Sequence, residues 1–357
     1  MKIQNILEDL IKIQSVSSNT KECRRIVDYI DTLVKENGLK SKIYENKDVF
    51  SILIGKEIKD KYEVLFNGHL DVVPANQKDF QSIIKKENEK NIMYGRGTSD
   101  MKGACVSVLT AFIESIKEGV DLDMAILFTT DEEIGGFNGV KYILDNDIVS
   151  ADIVFIPDGG NNWSICTDEK GVFQIRLTAT GVSAHGSKVW EGDNAILKLI
   201  KVYNNISKRF DKVTEKDNWK PTVNLGALNG GDAANKVPDI ATMLLDMRYP
   251  TPYTQKDLEK IVNESLVKEV TYEAISTGSP LHIDIGNKYL KKWIKIVDNP
   301  EFEKASGASD GRFFAGKGIP VLITKPISSD PHINNEWVDL DDLDIFKKKI
   351  KEWLRSI

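Results

Sequence analysis

Four short apolar runs in this chain each lead toward side chains that can hold a metal ion. Val64-Leu65-Phe66 is followed by Gly68-His69-Leu70-Asp71, and Ala125-Ile126-Leu127-Phe128 by Asp131-Glu132-Glu133-Ile134-Gly135-Gly136. Ile153-Val154-Phe155-Ile156 is followed by Pro157-Asp158-Gly159-Gly160. The fourth run, Ile319-Pro320-Val321-Leu322-Ile323, leads through a loop to Asp330-Pro331-His332. There are only four histidines, His69, His185, His282 and His332, and two of them lie just beyond such a run beside acidic residues. A lone imidazole is ordinarily a surface or core hydrogen-bonding group. Imidazoles gathered with several carboxylates form a donor set for zinc, and also for cobalt or manganese. Ligation is therefore the expected chemistry.

Loops can pool their side chains only if the strands before them run the same way. Short apolar runs separated by helical segments predict an α/β fold with a mixed, largely parallel sheet covered by helices. In such sheets ligands sit outside the carboxyl ends of the strands, where these loops lie. Helical spacing is clear in Ile6, Leu7, Leu10 and Ile11, then in Ile26, Tyr29, Ile30 and Leu33, ending near Gly38. Residues 103–117 read as one crossover helix. The texture changes near Gly171, where Val172–Ala179 alternates at period two, as a half-exposed strand does. A helix from Asn194, strands at 222–228 and 241–248, and a helix at 254–268 follow. This order predicts a smaller α+β lid or dimerisation domain over 171–279, inserted into a catalytic domain made of 1–170 and 280–357. A helix (287–298), the apolar strand 319–323 and a closing helix after Asp341 complete the chain.

Composition narrows the function. With 357 residues, two domains or one with an insertion are expected. Hydrophobic residues at 41% and charged ones at 29% describe a globular chain with a sizeable core. The balance of 48 basic against 54 acidic side chains, a net charge of −6, argues against a nucleic-acid binder. No apolar stretch approaches the roughly 18 residues of a membrane span. The N-terminus runs into an acidic, amphipathic Leu7-Glu8-Asp9-Leu10 rather than a signal peptide, so a cytoplasmic protein is expected. Cys23, Cys105 and Cys166 are odd in number and far apart, and read as core thiols. His282, in Leu281-His282-Ile283, reads as a strand or linker residue without a catalytic task.

The order of several segments resembles one known family. Gly68-His69-Leu70-Asp71-Val72-Val73-Pro74, Gly95-Arg96-Gly97-Thr98-Ser99-Asp100-Met101-Lys102-Gly103, Asp131-Glu132-Glu133, Pro157-Asp158, Ala184-His185-Gly186-Ser187 and His332 follow one another as in the co-catalytic dizinc amidohydrolases. That family includes acetylornithine deacetylase, succinyl-diaminopimelate desuccinylase, aminoacylase, glutamate carboxypeptidase and related dipeptidases. The resemblance runs through essentially the whole chain. It departs at the substrate rim, in Ala75–Phe80 and in Ser187-Lys188-Val189-Trp190.

The resemblance implies two divalent ions, zinc first, that clamp the reacting oxygens and acidify a water between them. It gives His69 and Asp158 to one ion, His332 and Glu133 to the other, and Asp100 to both, since a bridging ligand needs two oxygens. Glu132 would stay off the metal as general base, and Asp71 would fix the tautomer of His69. His185 would steady the oxyanion in the active site of a partner subunit, which implies a homodimer through the lid. Asn235, in the loop Gly230–Pro238, Arg248, and Arg312, in Ser309-Asp310-Gly311-Arg312, would contact substrate. An arginine fork suits a carboxylate. The implied reaction is metal-assisted hydrolysis of an amide in an N-acyl amino acid. Dipeptide or carboxypeptidase-type cleavage is the alternative within enzymes, and a catalytically silent metal-binding scaffold is the alternative outside them.

Overall fold

The structure, a computed structural model, describes residues 2–357. The chain forms two compact units. One holds residues up to Thr167 together with Ile283–Ala305 and Ser309–Ile357; the other holds Asp168–His282 with Ser306–Ala308. The division expected at 171 and 279 thus compares with 168 and 282.

The first unit is built on a six-stranded sheet. Its strands are β1 (Lys40–Asn46), β2 (Val49–Gly55), β3 (Lys61–His69), β4 (Met124–Thr129), β5 (Ser150–Ile156) and β6 (Val321–Ile323), in the order β1-β2-β4-β3-β5-β6. The pairs β3–β4, β3–β5 and β5–β6 are parallel, while β1–β2 and β2–β4 are antiparallel. A mixed, largely parallel sheet results. The hairpin β1–β2 turns through Lys47 and Asp48, both at positive φ (48° and 62°), which suits a two-residue turn between twisted strands.

Helices α1 (Ile3–Lys12), α2 (Thr20–Glu36), α3 (Gly103–Lys117), α4 (Lys288–Ile296) and α5 (Leu340–Ser356) cover this sheet. α3 is the expected crossover helix. It is buried nearly all round, through Ala104, Cys105, Val108, Leu109, Ala111 and Phe112 among others, because it is sandwiched between sheet and outer helices. α5 starts where the Asp339 side chain accepts from the N–H groups of Asp341 and Asp342, satisfying two otherwise unpaired donors. The core beside β3 and β5 is aromatic: the Phe155 ring lies 5.0 Å from Trp293, 5.4 Å from Trp353 and 5.5 Å from Phe66. Each such ring removed from water contributes about 1.5–3 kcal/mol, so α4 and α5 are anchored onto the parallel strands.

Because β3, β4, β5 and β6 are parallel, their carboxyl ends emerge along one edge. His69 ends β3, Asp131 lies two residues past β4, and Asp158 two past β5. A smaller antiparallel sheet of Ile83–Glu87, Lys90–Tyr94 and Trp337–Asp339, not anticipated from the sequence, brings the segment after His332 beside the segment before Asp100.

The second unit is a four-stranded antiparallel sheet. Its order is Thr222–Gly230, Ile240–Tyr249, Gly171–Thr180, Val270–Gly278. The central strand Gly171–Thr180 alternates as its sequence suggests, with Phe173, Ile175, Leu177 and Ala179 inward. Helices Ala195–Ser207 and Gln255–Ser265 cover those residues with Leu199, Val202, Ile206, Leu258 and Val262. The fourth strand completes a split β-α-β unit that the sequence reading left one strand short. Cys23, Cys105 and Cys166 are all buried, as expected. His282 sits in a two-residue strand, its Nδ1 2.8 Å from Asp168 Oδ1.

Candidate metal centre

The chain order of the centre is set by the strand ends. His69 is 1% exposed, and its Nδ1–H donates to the Asp71 carbonyl at 3.0 Å, with Asp71 Oδ1 at 3.4 Å. That donation turns Nε2 toward Asp100 Oδ1 at 3.0 Å, with Asp158 Oδ2 at 3.9 Å. The His332 Nε2 lies 3.1 Å from Asp100 Oδ2 and 2.9 Å from Glu133 Oε2. Asp100 therefore offers one oxygen to each imidazole. Each imidazole in turn faces a further carboxylate, Asp158 for His69 and Glu133 for His332.

Both Nε2 atoms are pinned between carboxylate oxygens. A neutral His69, its proton used on the Asp71 carbonyl, would point its Nε2 lone pair at negative charge, so the space beside it suits a cation, a proton or a metal ion. Ligand atoms on a common tetrahedral zinc, each about 2.0–2.2 Å from it, stand about 3.3 Å apart, which these spacings match. The donor atoms of His69, Asp100 and Glu133 fall within 4.8 Å of one another, as do those of His69, Glu132 and Asp158. The residues present fit a divalent metal ion, His69 belonging to both groups.

The electrostatics follow. Burial alone would raise the Asp100 carboxyl, but hydrogen bonds from His332 and His69 outweigh it and hold the group well below the usual range. Burial opposes charge on His69, yet its bonds to Asp100 and Asp71 raise it well above the ordinary value. Hydrogen bonds to Asp100 and Glu133 raise His332 to about 10. Desolvation, reinforced by Asp100, lifts Asp158 to about 6. Glu132 is raised well above an ordinary glutamate by desolvation, with Asp310, Asp158 and Asp100 adding to it against His69. Glu132 is partly exposed and makes no hydrogen bond to either histidine.

Asp71 organises the floor of the centre. It is fully buried, accepts from Ser17 Oγ at 2.6 Å, and accepts at 3.3 Å from the N–H groups of both Glu132 and Glu133. One carboxylate so fixes the His69 ring and the turn that splits Glu132 from Glu133. The same turn is held from its other side. Arg312 Nη2 donates to the Gly135 carbonyl at 2.8 Å and Nη1 to the Ser309 carbonyl at 3.0 Å, with the side chain 8% exposed. The guanidinium expected to fork a substrate carboxylate is thus engaged inside the fold. Gly136 (φ +68°) must be glycine, since a Cβ there would stand 2.2 Å from Asp310 Oδ1.

Asp310 went unnoticed as an acid in the sequence, where its segment read as a substrate contact. It is 2% exposed and neither carboxylate oxygen has a hydrogen-bond partner. Burial pushes it up to about 7, with Arg312 and His69 opposing and Asp131 and Asp71 adding. A folded-state value above the unfolded value of about 3.9 means the fold holds this proton longer. That stabilisation is complete below about pH 4 and is lost as pH rises through about 7. Asp310→Asn, always neutral, should raise the melting temperature of the chelated protein at pH 8 by a few degrees, as ~1–2 kcal/mol would, and the gap should close by pH 4–5. A variant that melts lower than the parent at pH 8 would show that the ionised acid is useful.

His185, Asn235 and Arg248 belong to the second unit. His185 is exposed, its Nδ1 2.8 Å from Ser187 Oγ, and the next N–H, of Gly186, donates to the Asn235 carbonyl at 2.6 Å. The structure so brings the His185 and Asn235 loops side by side. Arg248 lies on a strand and pairs with Asp246 at 2.9 Å.

A cluster of carboxylates around buried His69 and half-exposed His332 at the carboxyl edge of a largely parallel sheet is the layout of a metal-dependent hydrolase. Residues 65–356 match peptidase family M20/M25/M40, and the chain belongs to that family. It is therefore a hydrolase, as the motifs imply. Among curated proteins it is 27% identical over 369 residues to the succinyl-diaminopimelate desuccinylase of Rickettsia bellii (strain RML369-C), covering 94% of this chain and 92% of that one. It is 29% identical to the enzyme of the same name from Rickettsia canadensis (strain McKiel), covering 99% of each. Among solved structures, an M20 family metallo-carboxypeptidase from Sulfolobus solfataricus superposes with a TM-score of 0.80 at 20% identity, over 99% of both chains. A Staphylococcus aureus tripeptidase gives 0.78 at 21% identity, over 99% of this chain and 97% of that one. These two likenesses establish the fold. No helix among the described residues is long and apolar enough to cross a membrane.

Proposed function

We propose that the chain hydrolyses the amide bond of an N-acyl amino acid, in the manner of a deacetylase or desuccinylase. The observation that carries this reading is Asp100, one carboxylate shared between His69 and His332, with the unligated Glu132 beside it. In this reading His69, Asp158 and Asp100 hold one ion, and His332, Glu133 and Asp100 the other, zinc being the first choice and cobalt or manganese able to take the same donors. Bound there, the ions supply the Lewis acid that polarises the scissile carbonyl and acidifies water. Glu132 takes the proton of the attacking water and passes it to the leaving amine nitrogen. Asp71 keeps the His69 tautomer fixed throughout. His185 steadies the developing oxyanion on behalf of a partner copy in a homodimer, and Asn235 and Arg248 contact the substrate.

The acyl-amino-acid branch is supported by the curated relatives, which are named desuccinylases and align along more than nine-tenths of both chains. The test is mass-spectrometric detection of released amine from two pools, N-acyl amino acids and dipeptides, with zinc-loaded protein and a chelated control. Chelator-sensitive cleavage confined to the acyl pool is the expected result. Cleavage of dipeptides alone would move the chain to the peptidase branch. Silence in both pools would favour the scaffold alternative.

A further inference from the structure

Asp100 sits in backbone that cannot satisfy itself. Residues Asp100 (φ −129°, ψ 96°) and Met101 (φ −129°, ψ 25°) leave helical geometry inside the turn Thr98–Lys102. Gly97, Ser99 and Asp100 stand at the start of this turn, where N–H groups have no helix partner, and unpaired buried N–H groups are costly. All three point at one side chain. Glu336 Oε1 accepts from Ser99 N at 2.8 Å and Asp100 N at 3.0 Å, while Oε2 accepts from Gly97 N at 3.0 Å and Arg96 Nη1 at 2.6 Å. Glu336 is 2% exposed. Its carbonyl also accepts from Gly95 N at 3.0 Å.

Glu336 stands four positions after His332, and the pairing of Trp337–Asp339 with Lys90–Tyr94 delivers it to this loop. Arg96, besides gripping Glu336, reaches the carbonyl of Ile333, the residue next to His332. One carboxylate thus ties the backbone of Asp100 to the loop that carries His332. We infer that Glu336 is a positioning residue for the metal centre, setting the spacing between Asp100 and His332 while touching neither metal nor substrate. The inference rests on the dimetal reading above. It also explains the residue type. Every donor around this carboxylate is an N–H, so a glutamine in the same place would lose two bonds and press its own N–H₂ against donors.

The test is a cobalt titration of the chelator-stripped full chain, followed by visible absorption, with melting of the metal-free protein measured in parallel. The parent should take up two equivalents. In Glu336→Gln the weaker equivalent should bind about tenfold less tightly or worse, with its absorption bands displaced. A purely structural role would lower the melting temperature and leave both titration steps and both spectra unchanged, which would overturn the inference. Should Glu336→Gln fail to fold, Arg96→Lys decides, because it loosens the Glu336 carboxylate and leaves its three backbone bonds. A few-fold weakening of the same step supports the inference, and an unchanged titration overturns it. A parent chain that binds fewer than two equivalents would instead remove the dimetal reading, so the two failures are distinguishable.

Discussion

Glu132→Gln should leave the metal content of the protein unchanged and lower turnover by about 10²–10⁴-fold, the usual contribution of a general base. The two halves of that expectation come from different observations. Glu132 and Glu133 leave the same turn, and Asp71 grips the N–H of each, so their side chains diverge from a fixed root. Glu133 reaches His332, while Glu132 faces Asp310, Asp158 and Asp100 and makes no bond to either histidine. A carboxylate in that field holds a proton more tightly than glutamate in water, which is what a proton carrier needs. The rival assignment is concrete, because the Glu132 carboxylate also lies within 4.8 Å of donor atoms on His69 and Asp158. Metal analysis separates the two. If Glu132→Gln loses an equivalent of metal along with its activity, Glu132 is a ligand and the base must be sought elsewhere.

What could be read from the sequence divides along a physical line. Apolar runs that end in His69, Asp131 and Asp158 were legible because a buried parallel strand is a continuous hydrophobic stretch, and its carboxyl end is where function sits. α3 was legible for the same reason, as an apolar helix bounded by Gly103. The hairpin β1–β2 and the strand Val270–Gly278 were missed. β1 is an edge strand whose Lys40-Ser41-Lys42 start looks like a loop, and Val270–Gly278 is another edge, with only Val270 fully buried. Propensity says little at edges, where pairing is decided by the neighbour. In the centre, ligand type and strand position pointed to His69, to the acidic loop Asp131–Glu133, to Asp158 and to His332, but the choice of Glu133 within that loop, and Asp100, which follows no core strand, came only from the family resemblance. Glu336 and Asp310 left no signal. The worth of a buried carboxylate depends on which donors meet it. For Glu336 one of those is the N–H of Asp100, 236 positions away; for Asp310 it is the lack of any.

Asp100→Asn should reduce bound metal from two ions to at most one and lower turnover by about 10³-fold or more, the equivalent of ~4 kcal/mol of lost transition-state stabilisation. An amide keeps one acceptor oxygen, whereas His69 and His332 address different oxygens of Asp100, so an amide can serve only one side. Metal analysis and steady-state rates check this directly. The same variant makes a second claim that does not involve metal. In the chelated protein the Asp100 carboxyl is held below its unfolded value by its bonds to the two imidazoles, so its contribution to stability is present above about pH 4 and is lost as pH falls through the folded value. Chelated Asp100→Asn should therefore melt below the parent at pH 7, whereas chelated Asp310→Asn should melt above its parent at pH 8. Asp310 is buried and Asp100 nearly so, and their opposite signs follow from their partners. Asp100 has two cationic donors, and Asp310 has no hydrogen-bond donor at all. If both variants moved the melting temperature in the same direction, the balance of burial against pairing drawn for this cluster would be wrong.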